Sequence, residues 1–170
     1  SNERKEIAGK IKKGNVLVMF AGVGPYSIAI AKNSKAGKVY SIEMNREANR
    51  YAKLNIELNK VKDKVILLPG DIKMIAKKLR SLQIPQKFEY IVMPRPKTKA
   101  DFLKDAFALS KKGTFIFYYD FCKEEEISSV VEKIKKQAKN SKKRIKIVKI
   151  KKAGEIAAYK FRVRVDFKVL

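Results

Sequence analysis

The chain contains no histidine, no tryptophan and one cysteine, Cys122. Without histidine, a His-ligated metal site and any Ser-His or Cys-His catalytic pair are excluded. A single thiol cannot close an intramolecular disulfide, and no metal is expected. No apolar run approaches the roughly 20 residues needed to cross a bilayer. The opening Ser1-Asn2-Glu3-Arg4-Lys5 lacks the apolar core of a secretory signal. A soluble, cytoplasmic protein with no membrane partner is therefore expected. Its chemistry must rest on carboxylates, amides, lysines or a bound cofactor.

Acidic residues are also scarce, with 17 Asp and Glu against 41 Lys and Arg and a net charge of +24. Such a field draws in polyanions and speeds encounter with them. Lysine-rich thermophile surfaces normally enrich Glu as well, and here Glu does not keep pace. The excess therefore points to a nucleic acid. Lys32, Lys35 and Lys38 flank one predicted crossover. Lys133, Lys135, Lys136 and Lys139 load a late helix, and Lys142, Lys143 and Arg144 follow it.

The 170 residues suit one domain. Strand-like and helix-like stretches alternate, which argues for a parallel sheet covered by helices. Residues 3–12 read as a helix, and Asn15-Val-Leu-Val-Met-Phe20 as a buried strand. Gly22-Val-Gly24-Pro25 is a turn with Pro25 at the first helical position, and the helix runs to Asn33. Lys38 to Glu43 is the second strand. Asn45 can cap a helix on which Ala48, Tyr51, Leu54 and Leu58 share one apolar face. Val65 to Leu68 is the third strand, with Asp71 capping the next helix, and Phe88 to Met93 is the fourth. A helix at 98–110, a strand from Thr114 to Tyr119 and a helix at 123–139 follow. Lys143 to Ile150 reads as a strand. From Tyr159 to Val169 apolar residues alternate with Lys160, Arg162, Arg164, Asp166 and Lys168, a strand with one buried and one wet face. A loop at Lys152-Ala-Gly154-Glu would join the two as an antiparallel pair.

The glycine turn carries the chemistry. Phe20-Ala21-Gly22-Val23-Gly24-Pro25 lies between a strand and a helix. Glycine lets the backbone approach a ligand, and the helix start offers free N–H groups. A side chain at Gly24 is expected to crowd such a ligand. Glu43 ends the next strand, about twenty residues on, where a carboxylate can accept both ribose hydroxyls. Ser27 replaces the third glycine of the dinucleotide pattern Gly-x-Gly-x-x-Gly, which argues against an NAD-dependent oxidoreductase. Asp71, after the third strand, can take a hydrogen bond from an adenine amino group. Capping and ligand binding are compatible there.

The blocks Phe20-Ala-Gly-Val-Gly-Pro-Tyr-Ser27, Tyr40-Ser-Ile-Glu-Met-Asn45, Leu54-Asn-Ile-Glu-Leu-Asn-Lys60 and Gly70-Asp71 carry a family likeness. It continues through Met93-Pro-Arg-Pro-Lys97, Phe102-Leu103, Phe117-Tyr-Tyr-Asp120 and Arg162-Val-Arg-Val-Asp-Phe167. Together they resemble the archaeal and eukaryotic tRNA guanosine-37 N1-methyltransferases, with the related wybutosine-pathway aminocarboxypropyl transferases. The likeness covers nearly the whole chain. It implies an α/β, Rossmann-like class I methyltransferase with S-adenosylmethionine as cofactor and tRNA as partner. A mostly parallel seven-stranded sheet with a C-terminal antiparallel hairpin would follow, with residues 1–170 as the catalytic domain. Full-length members carry N-terminal RNA-binding domains, which this chain would lack.

By the same resemblance, Phe20, Ala21, Gly22 and Gly24 line the cofactor and Glu43 holds its ribose. Asp71 meets the adenine, with Met44 and Ile72 on the base and Met93 nearby. Glu3-Arg4 match a Glu-Arg pair whose Glu is the implied general base. The Met93 and Pro94 carbonyls are on offer to the target base, and Arg95 faces phosphate or base. Three positions depart from the family's pattern. Val18 stands where an acidic residue is usual. Pro94 stands where an Asn positions the base. Gly154-Glu-Ile-Ala-Ala158 replaces an aromatic-proline segment. Aminocarboxypropyl transfer is the close alternative, and a catalytically weak RNA-binding domain is the alternative that Val18 and Pro94 favour.

Overall fold

The computed structural model describes residues 1–94 and 102–170. Helix α1 (Asn2–Lys10) leads into β1 (Val16–Val18), and α2 (Pro25–Asn33) follows the glycine turn. Then come β2 (Val39–Glu43), α3 (Arg46–Leu58), β3 (Val65–Pro69), α4 (Ile72–Lys78) and β4 (Phe88–Met93). The chain ends with α5 (Leu103–Ala108), β5 (Ser110–Lys123), α6 (Ile127–Asn140), β6 (Ile145–Ala157) and β7 (Lys160–Val169).

One seven-stranded sheet has the order β3-β2-β1-β4-β5-β7-β6. The first five strands are parallel and β7 is antiparallel to both β5 and β6. Strand order reverses between β1 and β4, the position at which open α/β sheets form a crevice at their carboxyl edge. Helices cover both faces. Ile75 of α4, Phe107 of α5 and Ile134 of α6 pack on one side. Ile7 of α1, Ile30 of α2 and Ile56 of α3 pack on the other. Phe88, Phe107, Phe117 and Phe167 are fully buried. Each contributes about 1.5–3 kcal/mol by leaving water.

Both expected caps are present. Asn45 accepts from the Ala48 N–H and Asp71 from the Lys73 N–H, each satisfying a donor the helix leaves open. Four details differ from the sequence reading. First, the apolar face of α3 is turned outward. Tyr51, Leu54 and Leu58 are 46%, 51% and 79% exposed, while Asn49, Ala52 and Ile56 face the sheet. Ala52 Cβ lies 3.8 Å from where a Cβ on Gly24 would stand, so α3 brings a small residue up to the glycine turn.

Second, the hairpin does not turn at Lys152–Glu155. Gly154 sits in a bulge of β6 at φ 141°, absorbing a register shift inside the strand. The turn comes at Ala158-Tyr159, where Tyr159 has φ 60° and is 81% exposed. Third, the second face of β7 is wet only toward its ends, at Lys160 and Lys168. Between them Arg164 and Asp166 are wholly buried, beneath α1. Fourth, β5 runs on to Lys123, paired along its extension with β7. The helix expected at 98–110 begins partly outside the described residues; within them it spans Leu103–Ala108 and stops before β5.

Candidate functional site

The backbone leaving β1 is drawn into a tight loop between its two neighbours. The Met19 N–H bonds the Val92 carbonyl on β4, and the Ala21 N–H bonds the Ile42 carbonyl on β2. Phe20, Gly22 and Gly24 all take left-handed backbone, at φ 54°, 59° and 91°. For the two glycines this costs little, but a non-glycine residue there pays about 1–2 kcal/mol. Phe20 is held by the edge of the Phe102 ring, with centroids 4.6 Å apart. A Cβ built on Gly22 meets nothing within 4 Å, so the backbone here faces open space. On Gly24 a Cβ would meet Ile28 of α2 at 3.4 Å and Ala52 of α3. Gly24 thus sits where α2 and α3 meet the turn, and its left-handed backbone is what a side chain there would strain.

Ser27 has its own role. Its hydroxyl is hydrogen-bonded to the Ser41 hydroxyl on β2 in a fully buried contact that ties α2 to the sheet. Val18, where an acid is usual in the family, is fully buried among apolar side chains.

Glu43 completes the loop. One carboxylate oxygen accepts from the Gly22 N–H at 2.9 Å and the other from the Asn45 N–H at 2.7 Å. Each oxygen keeps a second acceptor site, which is the complement that two vicinal hydroxyls need. The Glu43 carbonyl accepts from Asn49 Nδ2 at 2.7 Å and from the Gly70 N–H at 2.9 Å. Asn55 Nδ2 reaches the Val23 carbonyl at 3.1 Å and ties the glycine loop to α3. Met44 projects beside Glu43, 70% exposed. Asp71 lies at the end of β3. Ile72 and Met93 are each 3% exposed and belong to the core, and Pro94 is half-buried just past β4. Ala21 is buried as well. The structure thus gathers Phe20, Gly22, Glu43, Met44, Asp71 and Pro94 along the carboxyl edge. Arg95 lies outside the described residues.

Glu3 is placed differently. Its carboxylate accepts from the Tyr119 hydroxyl at 2.9 Å, from Lys151 Nζ at 3.1 Å and from Arg164 Nη1. Burial pushes its pKa up, but these donors outweigh burial and hold it below the usual carboxylate range. Glu6 is held lower still, first by Arg164 and then by Lys151. Arg164 also binds Asp166 through Nε at 2.8 Å. From this cluster Tyr119 leads back toward the glycine turn. The Arg162 guanidinium lies 4.0 Å from the Tyr119 ring centroid and donates to the Tyr26 hydroxyl at 2.8 Å. Burial, followed by Tyr26, raises the Tyr119 pKa well above its usual value.

Sequence reasoning gave no role to Tyr26, Phe102, Tyr119 or Arg162. Each lies inside a block that carried the family likeness, but their meeting depends on strand pairing. Among the described residues there is no acidic, histidine or cysteine cluster able to hold a metal, and no helix long and apolar enough to cross a membrane.

An open sheet of this strand order, with a reversed seventh strand and a glycine turn facing a strand-end carboxylate, is the class I, Rossmann-like methyltransferase fold. Residues 1–148 match the family model of the TRM5/TYW2 methyltransferase domain, and the chain belongs to that family. It is 32% identical over 171 residues to the tRNA (guanine(37)-N(1))-methyltransferase Trm5b of Pyrococcus abyssi. That alignment covers 99% of this chain and 48% of the relative. The structure of M. jannaschii TYW2 in complex with AdoMet superposes with a TM-score of 0.82 at 28% identity, covering 99% of this chain and 75% of that one. The complex of aTrm5 with tRNALeu gives a TM-score of 0.78 at 28% identity, covering 99% of this chain and 45% of that one. The chain thus spans about half the length of the Pyrococcus relative.

Proposed function

We propose that this chain is the catalytic unit of an S-adenosylmethionine-dependent tRNA methyltransferase acting at N1 of the guanosine 3′ of the anticodon. The observation that carries the reading is the Glu43 carboxylate, fixed by the Gly22 and Asn45 N–H groups with an acceptor site free on each oxygen. That arrangement fits a ribose diol, and membership of the family supplies the nucleoside. Gly22 would take the methionine end against its bare backbone, with Phe20 and Ala21 shaping the wall. Asp71 would meet the adenine amino group, and exposed Met44 would cover the ring. Ile72, Met93 and Gly24 would act from behind, as the packed support of that surface. The cofactor supplies an electrophilic methyl group on a sulfonium.

The acceptor nitrogen of guanine carries a proton that must leave as the methyl arrives. Glu3 is the residue that family resemblance offers for it. Its donors keep it ionised, as a base must be, but also lower its basicity. Of the two oxygens, Oε1 takes the Tyr119 and Arg164 donors and Oε2 takes Lys151 alone, so Oε2 is the one with an acceptor site left for a proton. Pro94 would offer its carbonyl to the base, and Arg95 would face base or phosphate. Family membership that takes in the TYW2 branch, with 28% identity over 168 residues to an aminocarboxypropyltransferase of Methanocaldococcus jannaschii, supports a second reading, transfer of the aminocarboxypropyl group to a modified base.

One experiment separates the two. Unmodified tRNA is incubated with the protein and S-adenosylmethionine, digested, and its nucleosides weighed. Methylated guanosine is expected. The mass of an added aminocarboxypropyl group would select the alternative, and no modification despite bound cofactor would overturn both.

A further inference from the structure

Two grooves run side by side on the α4–α5–α6 face of the sheet. The first, about 430 Å³, lies between α4 and α5 and is lined by Lys73, Lys77, Lys87 and Lys104, with Asp105 as its one acid. The second, about 440 Å³, lies between α5 and α6, where Lys104, Gln137, Asn140, Ser141 and Lys143 line it. Lys104 stands on the wall between them. Among the described residues, Lys77, Lys104 and Lys143 have no ion-pair partner, although this face carries acids that could have supplied one. Lys73 does have one, Asp105 at 3.0 Å. Its ammonium also lies 5.4 Å from the Phe102 ring centroid, and Phe102 packs on Phe20. The Lys73 end of the first groove is thus linked through Phe102 to Phe20 of the glycine turn.

We infer that these two grooves form the track along which the RNA backbone leaves the site, its phosphates bound by Lys77, Lys104 and Lys143. The inference rests on the tRNA reading above and adds which face the substrate follows. Lysines in a groove that pair with no carboxylate among the described residues present positive charge, and amides and a hydroxyl beside them supply neutral donors for phosphate and sugar oxygens. Two adjoining grooves of one sign suit an extended polyanion better than a compact anion. The opposite face carries exposed lysines as well, including Lys35, Lys53 and Lys62, and its groove between α1, α2 and α3 is lined by Arg4 and Lys5 rather than by these three.

The test compares two triple variants in low-salt filter binding to unmodified tRNA across a salt series. One is Lys77→Gln, Lys104→Gln, Lys143→Gln. The other is Lys35→Gln, Lys53→Gln, Lys62→Gln. Each phosphate contact adds about 0.7–0.9 to the slope of log affinity against log salt. The groove variant is expected to lose about 2–3 from that slope and on the order of tenfold or more in affinity, with the opposite-face variant close to the parent. Calorimetric S-adenosylmethionine affinity equal to the parent's shows that each variant is folded. Equal losses in both variants, or a larger loss in the opposite-face variant, overturn the track while leaving the tRNA reading standing. Failure of the parent chain to bind RNA at low salt overturns both.

Discussion

Arg164 is the residue whose loss should cost the fold most. Its side chain is fully buried and its guanidinium serves three carboxylates, Glu3, Glu6 and Asp166. Asp166 is buried to the same extent. Arg164→Met fills much of the same volume, so the cavity term is small and the electrostatic term dominates. Removing one partner of a buried ion pair costs about 3–5 kcal/mol, because the other charge stays buried without compensation. Lys10 still reaches Asp166 at 3.1 Å and Lys151 still reaches Glu3, so the lower end applies, about 3 kcal/mol. Against a typical domain stability of about 5–15 kcal/mol this is a large fraction.

Urea unfolding at pH 7 reads it as a lower midpoint at unchanged slope. The pH dependence adds a second check. In the parent, Glu3 and Glu6 have lowered folded pKa values. Their stabilisation is thus complete above the unfolded carboxyl value, about 4.3, and is lost as pH falls through the folded values. In the variant Glu3 and Glu6 lose the Arg164 guanidinium that helps hold their folded pKa values down, so less stabilisation is left to be lost on acidification. The gap between parent and variant should therefore narrow below about pH 5. A loss under about 1 kcal/mol, or a gap constant from pH 7 to pH 4, would refute this reasoning.

The two glycines of the turn should separate. Gly24→Val places a branched side chain at φ 91° against Ile28 and Ala52, and thermal unfolding should show a loss of about 2 kcal/mol or more. Gly22→Ala points its methyl into open space, so it should fold at a cost of about 1 kcal/mol and lose cofactor affinity, read by calorimetry. Normal binding by Gly22→Ala would remove that backbone from the site. Glu3→Gln distinguishes base from anchor. If Glu3 is a general base, methyl transfer should fall about 100-fold or more with cofactor affinity intact; transfer that falls only in step with the folded fraction assigns Glu3 to the ion cluster alone.

The α/β alternation was legible because the first strand lies in a continuous apolar run, Val16 to Phe20, and because Asn45 and Asp71 announce their helices by local chemistry. The glycine turn and Glu43 were legible for the same reason, since loop and strand end lie only 21 residues apart. What was not legible depends on distant partners. Arg164 and Glu3 are 161 residues apart, so nothing in the alternating pattern of β7 could show that the middle of its charged face is buried. The outward stripe of α3 looked apolar enough for a core. The inward face carries Asn49, Ala52 and Ile56 instead, and the nearness of Ala52 to Gly24 is a relation between elements that one dimension does not display. Gly154 read as a turn because a glycine in a bulge and a glycine in a loop look alike in one dimension.

The carboxyl edge as an S-adenosylmethionine site is tested most directly by titrating the cofactor into the parent chain and Glu43→Ala in a calorimeter. The parent should bind one equivalent. Loss of hydrogen bonds to a charged group costs about 1.5–3 kcal/mol, so the variant should bind about tenfold or more weakly. Equal affinity in the two proteins, or no binding by the parent, would contradict the assignment.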